Sequence, residues 1–189
     1  MRKNRLVYVL LILLLGATRV DAARIEGVEF SDSYIAQEKT LTLRGVGLLR
    51  YMVVIKAYVG ALYMDRNQTA DQIFQDVPKR LELHYFHAIS AADFAESTRI
   101  MIEKNLTPQK AKILAPRIAQ MNALYRDVKP DDRYAATYWP GVGTELALNG
   151  NPLGIVPGVD FAAAYFAIWI GDHPIDKKFR DHLLGKDRP

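Results

Sequence analysis

The stretch from Tyr51 to Met64 is apolar at both odd and even positions and rich in β-branched and aromatic residues. A strand with one wet face alternates apolar and polar side chains; a strand covered on both faces does not need to. The stretch therefore predicts a central strand, ended by Asp65, Arg66 and Asn67, with a layer packed on each side. Around it the alternation predicts strands at Arg24–Phe30, at Thr40–Arg44 with Gly45 and Gly47 as punctuation, and at Arg80–His87 with 81, 83 and 85 apolar.

Helix signals follow. Thr69 with Gln72 and Ser90 with Asp93 are capping-box patterns. The first opens a short helix to Gln75. The second opens a helix through Lys104 on which Phe94, Thr98, Met101 and Ile102 keep helical spacing. Thr107-Pro108 starts another helix, which Pro116 should kink or split. Arg133–Trp139, Thr144–Leu148 and Leu153–Val156 return to strand character, and Asn149-Gly150 is a hairpin signal. Asp160–Ile170 is an apolar, hence buried, helix ended by Gly171, and Pro174 starts a last helix through Leu184. Strands and helices are grouped rather than alternating one for one. That order predicts an α+β fold, an antiparallel sheet with helices packed on one side.

The charge balance needs dividing before it means anything. The 189 residues carry 25 Lys+Arg and 21 Asp+Glu, a formal +4, and no cysteine. Arg2, Lys3, Arg5 and Arg19 flank ten uninterrupted apolar residues, Leu6–Leu15, and Val20-Asp21-Ala22 ends in the small-residue pattern of a cleavage site. This predicts a Sec-type signal peptide over residues 1–22 and one domain over 23–189, periplasmic or secreted. An uncleaved N-terminal anchor is the alternative, though the run is short for a bilayer. The domain is then nearly neutral, so the basic excess does not argue for nucleic acid. No other apolar run reaches a spanning length. The lack of cysteine excludes a lipoprotein anchor, a thiol nucleophile and a zinc ribbon.

Motif chemistry is sparse. His84 and His87 are three apart on a predicted strand and face opposite ways, so they do not share a metal. Glu82 and His84 share a face but supply only two ligands. No serine sits in a Gly-x-Ser-x-Gly elbow, and Gly141-Val142-Gly143 lacks the third glycine of a dinucleotide loop. The more informative feature is the central strand itself. If it is continuous, Arg50, Met52, Val54, Lys56, Tyr58, Gly60 and Leu62 share one face. A guanidinium at the end of an apolar wall can hold a carboxylate bidentately, Tyr58 adds a neutral donor, and Gly60 leaves room close to the sheet. A second reading of the same residues puts Arg50 in a turn, paired with a surface carboxylate, and Lys56 snorkelling. A bulge between 50 and 58 would also reverse the facing of Lys56.

Leu43-Arg44-Gly45-Val46-Gly47-Leu48-Leu49-Arg50-Tyr51 and Lys56-Ala57-Tyr58-Val59-Gly60-Ala61-Leu62-Tyr63 resemble the chalcone isomerase-like family. So do Pro78–Leu83, Ile89–Phe94, Pro140–Thr144, Leu148–Gly150, Gly158–Phe161 and Ile168–Pro174, in family order. The resemblance is to the bacterial exported branch. It implies an open-faced β-sandwich, an antiparallel sheet covered by a helical layer with a ligand cleft between. The family includes isomerases that close a chalcone into a flavanone and members that bind fatty acids without catalysis. By this resemblance the family's cleft arginine falls on Arg50, and the isomerases' strand threonine falls near Tyr58. Their helix tyrosine falls on Phe94, their asparagine on Met101, and the polar residue late in the buried helix near Ile168. The last three are apolar here, so the donors needed to stabilise an enolate are missing.

Three readings follow. The first is a non-catalytic binder of a hydrophobic anionic ligand such as a fatty acid. In it Arg50, Tyr58 and Lys56 hold the head, and Phe94, Met101, Ile168 and Trp169 line or flank the chain. The second is an isomerase or lyase acting on an enone, with Arg50 as electrophilic clamp and Tyr58 as acid. The third is an interaction protein with a vestigial cleft. No cofactor and no metal are expected, and nothing points to a particular protein partner.

Overall fold

The computed structural model describes residues 22–52 and 54–186. The signal peptide expected over residues 1–22 lies outside them, except for Ala22. Two short strands, β1 (Ala22–Ile25) and β2 (Val28–Ser31), form a hairpin. A seven-stranded sheet follows: β3 (Ser33–Ala36), β4 (Lys39–Tyr51), β5 (Ile55–Asp65), β6 (Lys79–Tyr85), β7 (Arg133–Trp139), β8 (Gly143–Leu148) and β9 (Asn151–Val156). Its strands lie in sequence order, every pair antiparallel. Helices α1 (Ala91–Asn105), α2 (Pro108–Leu124), α3 (Val159–Ile170) and α4 (Lys177–Leu183) complete the α+β fold. Among the described residues no helix is long and apolar enough to cross a membrane.

Two apolar clusters occupy the two faces of the sheet, as a strand apolar on both parities requires. Tyr58, Leu62 and Met64 of β5 join the large cluster under the helices, with Leu81, Leu83, Met101, Phe161 and Trp169. Val59, Ala61 and Tyr63, one residue out of phase, join Ile25, Phe30 and Leu41 under the β1–β2 hairpin. That second face also carries charge. Arg80 donates to Glu82 (2.9 Å) and Thr137 (2.6 Å), and Arg133 donates to Glu82 (3.1 Å). The Arg80 and Arg133 guanidinium groups lie over the rings of Tyr34 and Phe30.

The helix caps are those the sequence announces. Ser90 accepts from the Asp93 amide, and Thr107 accepts from the Lys110 amide ahead of Pro108. The first capping box opens only a short 3₁₀ turn, Ala70–Phe74. Helix α2 runs through Pro116 without splitting. Pro116 is exposed, so the carbonyl that its missing N–H leaves free can meet water. Helix α4 begins three residues after Pro174, where the Asp176 carboxylate accepts from the Phe179 amide (2.7 Å).

Three strand expectations are corrected. Arg24–Phe30 is not one strand: Glu26 (φ 50°) and Gly27 (φ 84°) turn it into a hairpin, the left-handed pair a tight two-residue turn demands. Gly45 and Gly47 do not end a strand, because β4 continues through both. A Cβ on Gly45 would collide with the His182 carbonyl, and one on Gly47 would lie 2.9 Å from the Phe179 ring. These glycines admit α4 against the sheet. Tyr51–Met64 is not one strand either. The chain reverses at Met52 (φ 48°), and β4 pairs with β5.

Candidate functional site

A cavity of about 230 Å³ lies between the sheet and the helices. The floor is Tyr58 of β5, Leu81, Leu83 and Tyr85 of β6, Tyr134 and Ala136 of β7 and Leu146 of β8. Alternation on β6 brings 81, 83 and 85 to this one face. Helix α1 supplies Asp93, Phe94, Ser97 and Thr98, and α3 supplies Tyr165, Ile168 and Trp169. Tyr125, Ile89 and Ile175 close the remaining sides. Asp93 and Ser97 are exposed and mark the mouth.

Seven of the seventeen wall residues are aromatic, and most of their rings meet edge to face. Tyr85 stands 5.5 Å from Tyr58 and 5.3 Å from Phe94, and Tyr165 stands 5.4 Å from Trp169, between ring centroids. Such contacts fix ring orientation beyond what burial alone does. The hydroxyls are tied unequally. Trp169 donates its indole N–H to Tyr58 (3.1 Å). Thr98, Tyr125 and Tyr165 form a chain with oxygens 2.8 and 2.9 Å apart. Tyr134 donates to the Arg126 carbonyl and accepts from its amide. Among the described residues the Tyr85 hydroxyl has no partner, although the side chain is only 2 % exposed.

Burial raises every one of these phenols. Tyr58, Tyr85 and Tyr165 are held well above the ordinary phenol range by loss of water. Tyr125 is pushed up to about 12 by burial, tempered by its hydrogen bonds to Thr98 and Tyr165. At neutral pH the wall therefore offers uncharged O–H donors and no phenolate base. Asp93 is the one carboxyl group in the wall and accepts from the Ser90 hydroxyl (2.6 Å). Among the described residues no cluster of three His, Asp or Glu side chains gathers as a metal site.

Of the residues named from sequence, Tyr58, Phe94, Ile168 and Trp169 line this cavity. Met101 is buried in the same cluster, one turn beyond Thr98, without lining it. Arg50 and Lys56 are not brought to the cavity wall. On β4 the residues 46 and 48 face the hairpin-side cluster, and Arg50 continues that parity. On β5 the register steps from Leu49↔Tyr58 to Arg50↔Lys56, leaving Ala57 unpaired. This bulge turns Lys56 away from the face of Tyr58. Both cations meet Glu26 of the β1–β2 turn, Lys56 at 2.5 Å and Arg50 at 3.6 Å. Gly60 does leave room against the sheet, but α4 takes it: a Cβ there would stand 2.7 Å from Phe179.

A sequence profile of the chalcone isomerase-like family matches residues 22–185. The chain belongs to the chalcone isomerase-like family. A fatty-acid binding protein of Arabidopsis thaliana shares the fold of this chalcone isomerase-like chain, with a TM-score of 0.69 at 19 % identity, over 88 % of this chain and 97 % of that one. A search among curated proteins gives no match. The family positions expected at Tyr58, Phe94 and Ile168 thus fall on the cavity wall, while the arginine position does not.

Sequence reasoning missed Tyr85, Tyr125, Tyr134, Tyr165 and Thr98 as wall residues. For Tyr85 the signal is present in the apolar odd face of 81, 83 and 85. Tyr165 sits in a helix whose uniform hydropathy hides which side faces a cavity. Tyr125, the C-cap of α2, keeps helical spacing with Ile118 and Met121, so the pattern marks it as a core-face residue without showing that a cavity lies beside it.

Proposed function

We propose that this chalcone isomerase-like chain is an exported, non-catalytic binder of a hydrophobic small molecule of the fatty-acid type, seated between the sheet and helices α1 and α3. The observation that carries this reading is the cavity itself, about 230 Å³ walled by aromatic and aliphatic side chains. A well-packed interior leaves few voids larger than a water molecule, and apolar cavities with a few convergent polar groups are the usual form of a ligand site. The fatty-acid binding activity of the Arabidopsis protein with the same fold supports the ligand class. The volume is below the roughly 300–1,000 Å³ of most ligand pockets, which favours a short chain or partial insertion of a long one.

The enone reading has less support. It needs Arg50 beside the reacting carbonyl, and Arg50 is engaged by Glu26 on the other side of the sheet.

The test is displacement of a fluorescent fatty acid from ligand-stripped protein by unlabelled acids of eight to sixteen carbons. Saturable binding with competition by the shorter acids is expected. No saturable binding at any length would remove the reading.

A further inference from the structure

We infer that the head group this cavity selects is an uncharged hydrogen-bond acceptor, such as an ester or alcohol oxygen or a protonated carboxylic acid, and not an ionised carboxylate. The inference rests on the binding reading above and specifies its ligand.

The first ground is the set of donors. The Tyr85 side chain is otherwise enclosed, and its hydroxyl faces the cavity with no partner among the described residues. A hydroxyl that faces an apolar cavity with no protein acceptor is free to donate to an incoming oxygen. Tyr58 accepts from Trp169, and its own hydrogen has no acceptor among the described residues. Thr98, Tyr125 and Tyr165 share two hydrogen bonds among three hydroxyl hydrogens, which leaves one unspent within the chain. These are donors looking for an oxygen.

The second ground is charge. The titratable groups that line the cavity are Tyr58, Tyr85, Tyr125, Tyr134, Tyr165 and Asp93. None carries positive charge. Asp176 lies close enough to Tyr58 to disfavour its phenolate. Arg50 and Lys56 share Glu26 on the opposite face. A carboxylate entering this site would leave water without gaining a counter-ion and would pass Asp93 at the mouth. Burial of an unpaired charge is strongly unfavourable even after relaxation, whereas a neutral acceptor has no such penalty. A carboxylic acid would then bind in its protonated form.

The experiment titrates the protein with methyl octanoate, 1-octanol and octanoate, which match in chain length and differ in head charge. Binding is followed by calorimetry at pH 8 and pH 6. The ester and the alcohol are expected to bind at least tenfold more tightly than octanoate at pH 8. Octanoate should gain at least tenfold between pH 8 and pH 6, while the other two stay level. Tyr85→Phe should weaken ester and alcohol binding about fivefold or more without lowering the melting temperature. Octanoate binding as tightly as the ester at pH 8 would overturn the inference and leave the binding reading standing. Absence of binding by all three would overturn both.

Discussion

Trp169 of α3 donates its indole N–H to the hydroxyl of Tyr58 on β5, 3.1 Å away, and so pins the buried helix to the sheet at the cavity. Both side chains are buried, at 8 and 7 % exposure. The bond therefore cannot be replaced by water without opening the site. Tyr58→Phe should cost about 1–3 kcal/mol, the range for stranding a buried donor. Tyr85→Phe should cost less than about 0.5 kcal/mol, because that hydroxyl has no protein partner to lose. Urea unfolding of the two variants checks the contrast, and equal losses would show that the two hydroxyls are equivalent.

Glu26 holds Arg50 and Lys56 at partly exposed positions, with side-chain exposures of 25, 43 and 47 %. Exposed ion pairs are worth little, about 0–1 kcal/mol, and salt screens them. Arg50→Ala is expected to lower stability by no more than about 1 kcal/mol and to change ligand affinity less than twofold. Thermal melts and fluorescent fatty-acid titrations measure both. A large loss of affinity with unchanged stability would return Arg50 to the ligand.

Gly60 stands where α4 crosses the sheet. A methyl group there would lie 2.7 Å from Phe179 and 2.9 Å from Leu83, and Phe179 is fully buried. Gly60→Ala should destabilise by about 1–3 kcal/mol, as overpacking does. Adding Phe179→Leu should recover part of the loss, since contacting residues are not additive. The double-mutant cycle, read by chemical denaturation, checks this; strict additivity would mean that the methyl group is accommodated elsewhere.

Lys79 is fully buried, and its ammonium donates to the carbonyls of Ile73 (2.6 Å) and Gln75 (2.9 Å). Loss of water lowers its pKa from the ordinary 10.5 to about 8, partly opposed by Asp76. Between those values the unfolded chain holds more protons than the native chain, so this group makes the native state more stable as pH rises. Wild type should therefore gain about 2 kcal/mol relative to Lys79→Met between pH 7 and pH 9.5. Denaturant unfolding at the two pH values gives the difference. A constant gap would mean that Lys79 titrates normally in the fold.

The sequence carried the fold further than the site, for identifiable reasons. The two-sided apolar pattern of Tyr51–Met64 does mark a strand covered on both faces, since Tyr58 and Val59 enter different clusters. The hairpin reversal inside it was hidden because Met52 turns with none of the usual turn residues. Asn149-Gly150 was legible, with φ of 50° and 80° joining β8 to β9. The site depended on parity. A single bulge at Ala57 separates Tyr58, which lines the cavity, from Lys56, which does not. A bulge between 50 and 58 is an alternative that period-two reasoning can name but cannot choose. Arg50 does pair with a carboxylate, as the second reading has it, but from strand β4 and not from a turn.

The most direct test of the whole account is a crystal structure of the protein with methyl octanoate. The account predicts the chain against Leu83 and Ile168, with the ester oxygen within hydrogen-bond distance of the Tyr85 hydroxyl. A ligand seated beside Arg50 and Lys56, or an empty cavity at saturating ligand, would contradict it.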